Sequence, residues 1–241
     1  MTFTGAEQLI SDQAIVFARK NKKAIAKRLT DKSVYLSERR PVSVFMAGSP
    51  GAGKTEASIE LLDSIAADVS IIRIDPDELR SELPGYKGGN SYLFQPAVSI
   101  LVDKIHDLAL SQNQSFLLDG TFSRFEIADK NIKRSIDKGR LVQILYVYQD
   151  PLLAWQFVTS RELDEGRKIL SEHFVDQYFS ARETVDKVKQ DYGADVRVDV
   201  LMKNIDNTHR SYKANVDLIG NHVSEKYTRE SLSHSLAHES N

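Results

Sequence analysis

Gly48-Ser49-Pro50-Gly51-Ala52-Gly53-Lys54-Thr55 follows Val42-Ser43-Val44-Phe45-Met46-Ala47, an apolar run of strand length. It precedes a stretch with helical periodicity in which Ile59, Leu62, Ile65 and Ala66 share a face. Residues 48–55 fit G-x-x-x-x-G-K-[ST], and the strand-to-helix setting is the one in which that pattern has a mechanism. Glycines at 48, 51 and 53 let the backbone approach a polyphosphate and turn its amides inward, while the helix starting near Lys54 adds the positive end of its dipole. Lys54 then bridges the β- and γ-phosphates and Thr55 ligands Mg²⁺. The competing reading is a chance glycine-rich turn, and the agreement of pattern with context argues against it.

Outward from this turn, strand-like runs alternate with helical ones. Strands are expected at 69–74, 115–118, 141–148 and 196–202, with helices at 56–67, 96–110, 125–138 and 152–192. Alternation of this kind implies parallel pairing and right-handed crossovers, so the expected fold class is α/β, a parallel sheet covered by helices on both faces. Residues 6–37 read as one or two helices carrying a basic cluster (Arg19, Lys20, Lys22, Lys23, Lys27, Arg28), either a solvated face or an anion or partner surface. The organisation expected is an N-terminal helical extension (1–40), one sheet domain (41–222) and a polar, frayed tail (223–241) with few large apolar residues.

Composition narrows the function. The 241 residues carry 34 acidic and 32 basic side chains, 41% hydrophobic and 27% charged residues, and no cysteine. That balance belongs to a folded chain without disulfides, and its near-neutral charge lacks the footprint of a dedicated duplex-DNA binder. No basic start followed by an apolar run marks a secretory signal, and apolar runs fall short of the ~20 residues a membrane span needs, so the expectation is a cytoplasmic protein with no membrane contact.

Ligands of open parallel sheets bind at the carboxyl ends of strands, where this chain places acids. Phe116-Leu117-Leu118-Asp119-Gly120-Thr121 ends a strand in a carboxylate suited to the magnesium shell, and the Thr121 hydroxyl is either a substrate contact or a helix cap. Ile74-Asp75-Pro76-Asp77-Glu78-Leu79-Arg80 ends another. A kinase acting on an alcohol needs a carboxylate to take the hydroxyl proton, and Asp77 is the better candidate, although Asp75 or Asp77 could instead cap the next helix. Arg161, Arg167 and Arg182 lie in the segment that could fold over a nucleotide as a lid, where guanidinium groups would stabilise charge on a transferred phosphoryl group, unless they are merely solvated. Five histidines (173, 209, 222, 234, 238) show no metal-ligand spacing, and Trp155 with Phe157 reads as core or lid packing.

In combination, Gly48 to Thr55, Ile-Asp-Pro-Asp-Glu-Leu-Arg, Leu83-Pro84-Gly85-Tyr86 and Leu-Asp-Gly-Thr resemble the zeta-toxin family of phosphotransferases, over roughly residues 40–190. The resemblance implies a P-loop kinase-type fold with a helical lid, ATP (or GTP) with Mg²⁺, and phosphorylation of a sugar hydroxyl, in the best-known members that of UDP-N-acetylglucosamine. It also implies a cytoplasmic toxin with an antitoxin protein as partner. By position, Lys54 and Thr55 match the phosphate-loop pair, Asp77 the catalytic base, Asp119 and Thr121 the acid-Gly-Thr signature that holds substrate and metal, and Arg161 and Arg167 the two lid arginines, at a shorter spacing than in the best-known toxins. One stretch departs: where several members carry a glutamate for the amino sugar, this chain reads Phe94-Gln95-Pro96-Ala97, which leaves the acceptor open among UDP-N-acetylglucosamine, another nucleotide sugar, a nucleotide and a nucleic-acid end. Two other readings compete. A polynucleotide kinase would need a basic groove, for which the N-terminal lysines are the only support, so a nucleic-acid partner is not expected. A nucleotide-dependent switch of GTPase type would carry Asn-Lys-x-Asp, whereas Lys203-Asn204-Ile205-Asp206 has another order.

Overall fold

The structure is a computed structural model describing residues 3–65, 70–165, 169–203 and 210–239. Val42–Ala47 (β1) alternates strictly, turning Phe45 and Ala47 to one face of the sheet and Val44 and Met46 to the other, all buried. Around it, Ile72–Ile74 (β2), Phe116–Leu118 (β3), Leu141–Tyr148 (β4), Val196–Lys203 (β5) and Arg210–Lys213 (β6) form one sheet in the order β2-β3-β1-β4-β5-β6. The first five strands run parallel and β6 pairs antiparallel to β5. The expected α/β fold is therefore present, with an edge strand that the sequence reading did not include.

Helices cover both faces. Lys54–Ile65 (α2) packs Ala57, Leu61 and Leu62 on the Val44 face. Its exposed Ile59 corrects the expected apolar face by one step around the helix, and Ala66 and the Ile65 side chain lie outside the described residues. After the short Pro76–Arg80 (α3), Gln95–Ser111 (α4) and Phe125–Ile136 (α5) cover the Phe45 face together with Ser171–Tyr192 (α7). Gly5–Leu29 (α1) is a single helix, begun by a capping box of Thr4 and Glu7. It lays Ala14, Ala18, Ile25 and Ala26 along α4, so it completes the main core, while Arg19, Lys20, Lys23 and Lys27 face solvent.

Pro151–Glu165 (α6) starts where Asp150 Oδ1 accepts the Leu152 N–H at 3.0 Å, and a second core lies beyond it. There Trp155 meets Phe174 edge-on with ring centres 5.2 Å apart, while Phe157 is exposed. The tail expected to fray is ordered as Arg229–Glu239 (α8), because Leu232 and Leu236, one helical turn apart, both enter this second core. Arg229 adds bonds to Asp176 and Glu183 of α7. A sparse apolar pair suffices because α6 and α7 supply the rest of the cluster.

If the tail is part of the fold, Leu236→Ala should cost about 2–4 kcal/mol, as cavity-forming truncations of buried leucines do. Urea unfolding reads this, and an unchanged midpoint would show that α8 does not pack.

Candidate active site

Because the five parallel strands point the same way, their carboxyl ends deliver residues 48–55, Asp75, Asp119 and Lys203 to one edge of the sheet. The Asp119 N–H bonds to Ile74 O at 2.9 Å and Gly48 N–H to Thr121 O at 3.1 Å, which ties the ends of β2, β3 and β1 together. The 48–55 turn is held from outside as well. At Gly51, φ is +73°, and a Cβ would sit 2.1 Å from Ala154 O of α6, so only glycine allows this approach.

Lys54 Nζ donates to Gly48 O at 3.1 Å and Ser49 O at 2.6 Å, so the ammonium folds over its own loop. Burial pushes its pKa down from 10.5 to about 8, against the pull of Asp119 and Asp77; Arg161 pushes it the same way as burial, and Glu56 opposes. Lys54, Asp77, Asp119 and Arg161, assembled from α2, α3, the end of β3 and α6, thus share one electrostatic site. Arg167 lies outside the described residues. Arg182, the third candidate for a lid role, instead pairs with Glu225 at 3.2 Å, in the segment leading to α8.

The two acids after β2 divide their work. Asp75 caps α3, its Oδ1 accepting the Asp77 N–H at 2.7 Å, which leaves the Asp77 carboxylate, 42% exposed, open to solvent and paired with Arg80. Arg80 Nη2 also donates to Gln95 Oε1 at 2.8 Å, so the position departing from the glutamate pattern is wired to Asp77. Thr121 is not a helix cap, since α5 begins after Arg124; its hydroxyl lies 3.0 Å from Ser123 Oγ. Next to it, Phe122 adopts φ +58°, strained for a bulky residue and held by packing against Phe45.

Arg73 was missed by the sequence reading. From the middle of β2 its Nη2 reaches Asp119 at 2.9 Å and Asp75 at 2.6 Å, Nη1 pairs with Glu78, and Nε donates to the buried Ser58 Oγ at 3.1 Å. An arginine flanked by isoleucines in a short strand was the available signal, because a guanidinium there needs carboxylate partners. Ser58 in turn lies 3.3 Å from Asp119 Oδ2, whereas Asp119 Oδ1 accepts no hydrogen bond among the described residues. A free carboxylate oxygen near the Thr55 end of α2 is a donor set that fits a hard, oxygen-seeking cation such as Mg²⁺.

The family model for zeta toxin matches residues 25–217. No curated protein matches the chain. Among solved structures, it resembles one from the PezAT chromosomal toxin-antitoxin system of Streptococcus pneumoniae, with TM-score 0.62 and 16% identity over 99% of this chain and 95% of that one. An AvrRxo1-ORF1:-ORF2 complex with ATP follows at TM-score 0.58 and 17% identity, covering 95% of this chain and 70% of that one. A chain of the Pnkp1/Rnl/Hen1 RNA repair complex matches at TM-score 0.51 and 14% identity over 63% of this chain and 47% of that one. At these identities the likeness establishes the P-loop kinase fold. No helix among the described residues is long and apolar enough to cross a membrane.

The depressed Lys54 pKa gives a pH signature. Between about 8 and 10.5 the unfolded chain holds a proton that the folded one lacks, so this lysine's contribution to stability rises with pH across that window and is a cost below it. A bound polyphosphate favours the ammonium, so binding above pH 8 takes up a proton. ADP affinity should therefore fall roughly tenfold per pH unit above that point, and not in Lys54→Arg, whose guanidinium stays charged. Calorimetry across buffers of different ionisation enthalpy measures the uptake; a flat profile would rule out a deprotonated Lys54 in the free loop.

Proposed function

Because this chain belongs to the zeta-toxin family of phosphotransferases, we propose that it transfers the γ-phosphoryl group of ATP, with Mg²⁺, to a sugar hydroxyl of a nucleotide sugar such as UDP-N-acetylglucosamine. We further propose that it does so as the toxin of a toxin-antitoxin pair, with GTP as an alternative donor. The observation carrying this reading is the convergence of Lys54, Asp77, Asp119 and Arg161 at the loop 48–55.

In the proposed reaction, the amides of residues 48–55 cradle the phosphates and Lys54 leaves its loop carbonyls for the β- and γ-phosphate oxygens. Thr55 and Asp119 would hold Mg²⁺, which supplies charge neutralisation on those oxygens when bound. Asp77 accepts the proton of the acceptor hydroxyl as its oxygen attacks phosphorus in line, and ADP leaves. Arg161, with Arg167 from the segment outside the described residues, stabilises charge on the transferred group. In this reading Thr121 and Asp119 bind the acceptor. Arg80 pairs with Asp77 and donates to Gln95 Oε1, so the stretch 94–97, where several members of the family carry a glutamate, lies next to the proposed base, which supports an acceptor other than the amino sugar of the best-known members.

The test is label transfer from γ-³²P-ATP with Mg²⁺ into a panel of UDP-sugars, nucleotides and oligonucleotides, with Lys54→Ala as blank. The expected label is in a nucleotide sugar; label in an oligonucleotide alone would move the chain to polynucleotide kinase chemistry. Asp77→Asn should retain ATP binding and lose transfer, and Arg161→Ala should lower kcat by roughly 10³-fold with little change in ATP affinity. Transfer retained by Asp77→Asn would remove it as the base.

A further inference from the structure

We infer that Lys203, the last residue of β5, is a positioning residue that aims the loop's backbone at the phosphates; the inference rests on the nucleotide reading above. Lys203 stands 150 positions along the chain from Gly53, is 7% exposed as a residue, and its Nζ donates to Gly53 O at 2.9 Å. The two groups meet only because residue 53 has no side chain. A Cβ there would lie 2.1 Å from Nζ and 3.1 Å from Cε, at φ +78°. Packing alone does not explain the contact, since a methionine would fill similar space without the desolvation of an ammonium.

What the contact does follows from peptide geometry. The Gly53–Lys54 peptide is planar and trans, so its C=O and N–H point in opposite directions. Gly53 O already accepts Ala57 N–H at 3.1 Å as the first bond of α2, and Lys203 occupies its second lone pair. With the oxygen fixed from both sides, the Lys54 N–H is fixed on the opposite side of the peptide. That N–H lies in the first turn of α2 and has no acceptor within the helix, so it remains available to a phosphate. The Lys203 charge also adds to the positive end of α2.

The experiment compares ADP and AMP binding to the full chain by calorimetry in the wild type, Lys203→Met and Lys54→Ala. ADP places a phosphate in the loop that AMP lacks. Lys203→Met should therefore bind ADP roughly tenfold more weakly, the order expected for one charged hydrogen bond, while AMP affinity stays within about twofold. A merely structural role would weaken both ligands alike, and that outcome overturns the inference, as does unchanged ADP affinity. Should Lys203→Met fail to fold, Lys203→Gln, which keeps a polar end but loses the charge and reach, carries the same comparison with the same expectation. Failure of the underlying reading is distinguishable: a wild type that binds no ADP, or binds it no better than Lys54→Ala, sinks both, whereas normal wild-type binding with an unaffected Lys203 variant sinks this inference alone.

Discussion

The phosphate loop is pressed from two sides with no room for side chains, and the rest of the site depends on that contact. Gly51 abuts the Ala154 carbonyl of α6, and Gly53 abuts the Lys203 ammonium of β5. Loop, α6 and distant strand end therefore share one packing arrangement, and a shift in any of them is felt by the others, since close-packed interiors transmit displacement. The second core extends this chain of contacts, because α6 rests on α7 and α8 through Trp155, Phe174, Leu232 and Leu236. The position of Arg161 is thereby linked to the C-terminal helix, which lies beyond the segment matched by the family model.

Charged groups in the site are bonded within the protein. Lys54 sits on loop carbonyls, Arg73 joins Asp75, Asp119 and Glu78, and Arg80 joins Asp77 to Gln95. Each pairing offsets the desolvation of a buried or half-buried ion. Arg73 and Ser58 connect the α2 side of this network to the α3 side, making Asp119 and Asp75 neighbours of one guanidinium.

Local signals pointed to the residues whose patterns depend on short-range spacing. The loop 48–55 and the acids at 75, 77 and 119 were legible because turn chemistry and strand ends are encoded within a few residues. The division between Asp75 as cap and Asp77 as open carboxylate was not, since it depends on which carboxylate meets the α3 amides. Arg73 and Lys203 were passed over because a single cation in an apolar strand has no local pattern, and Ser58 and Asp119 beside Arg73, like Gly53 beside Lys203, come from 15 to 150 positions away. The tail misled for a similar reason: two leucines among serines and histidines look too few to order a helix until α6 and α7 are placed beside them.

The sequence by itself determined the alternation of strand and helix, the parallel sheet and the phosphate loop, because periodicity, glycine positions and the G-x-x-x-x-G-K-[ST] spacing act over a handful of neighbouring residues. Tertiary structure alone decided that Arg73 of β2 meets Asp119 of β3, that Gln95 is joined to Asp77 through Arg80, and that β5 and the C-terminal helix pack against the loop and α6. Those outcomes depend on burial, and burial is a property of where distant segments come to lie, so no local stretch of chain carries them.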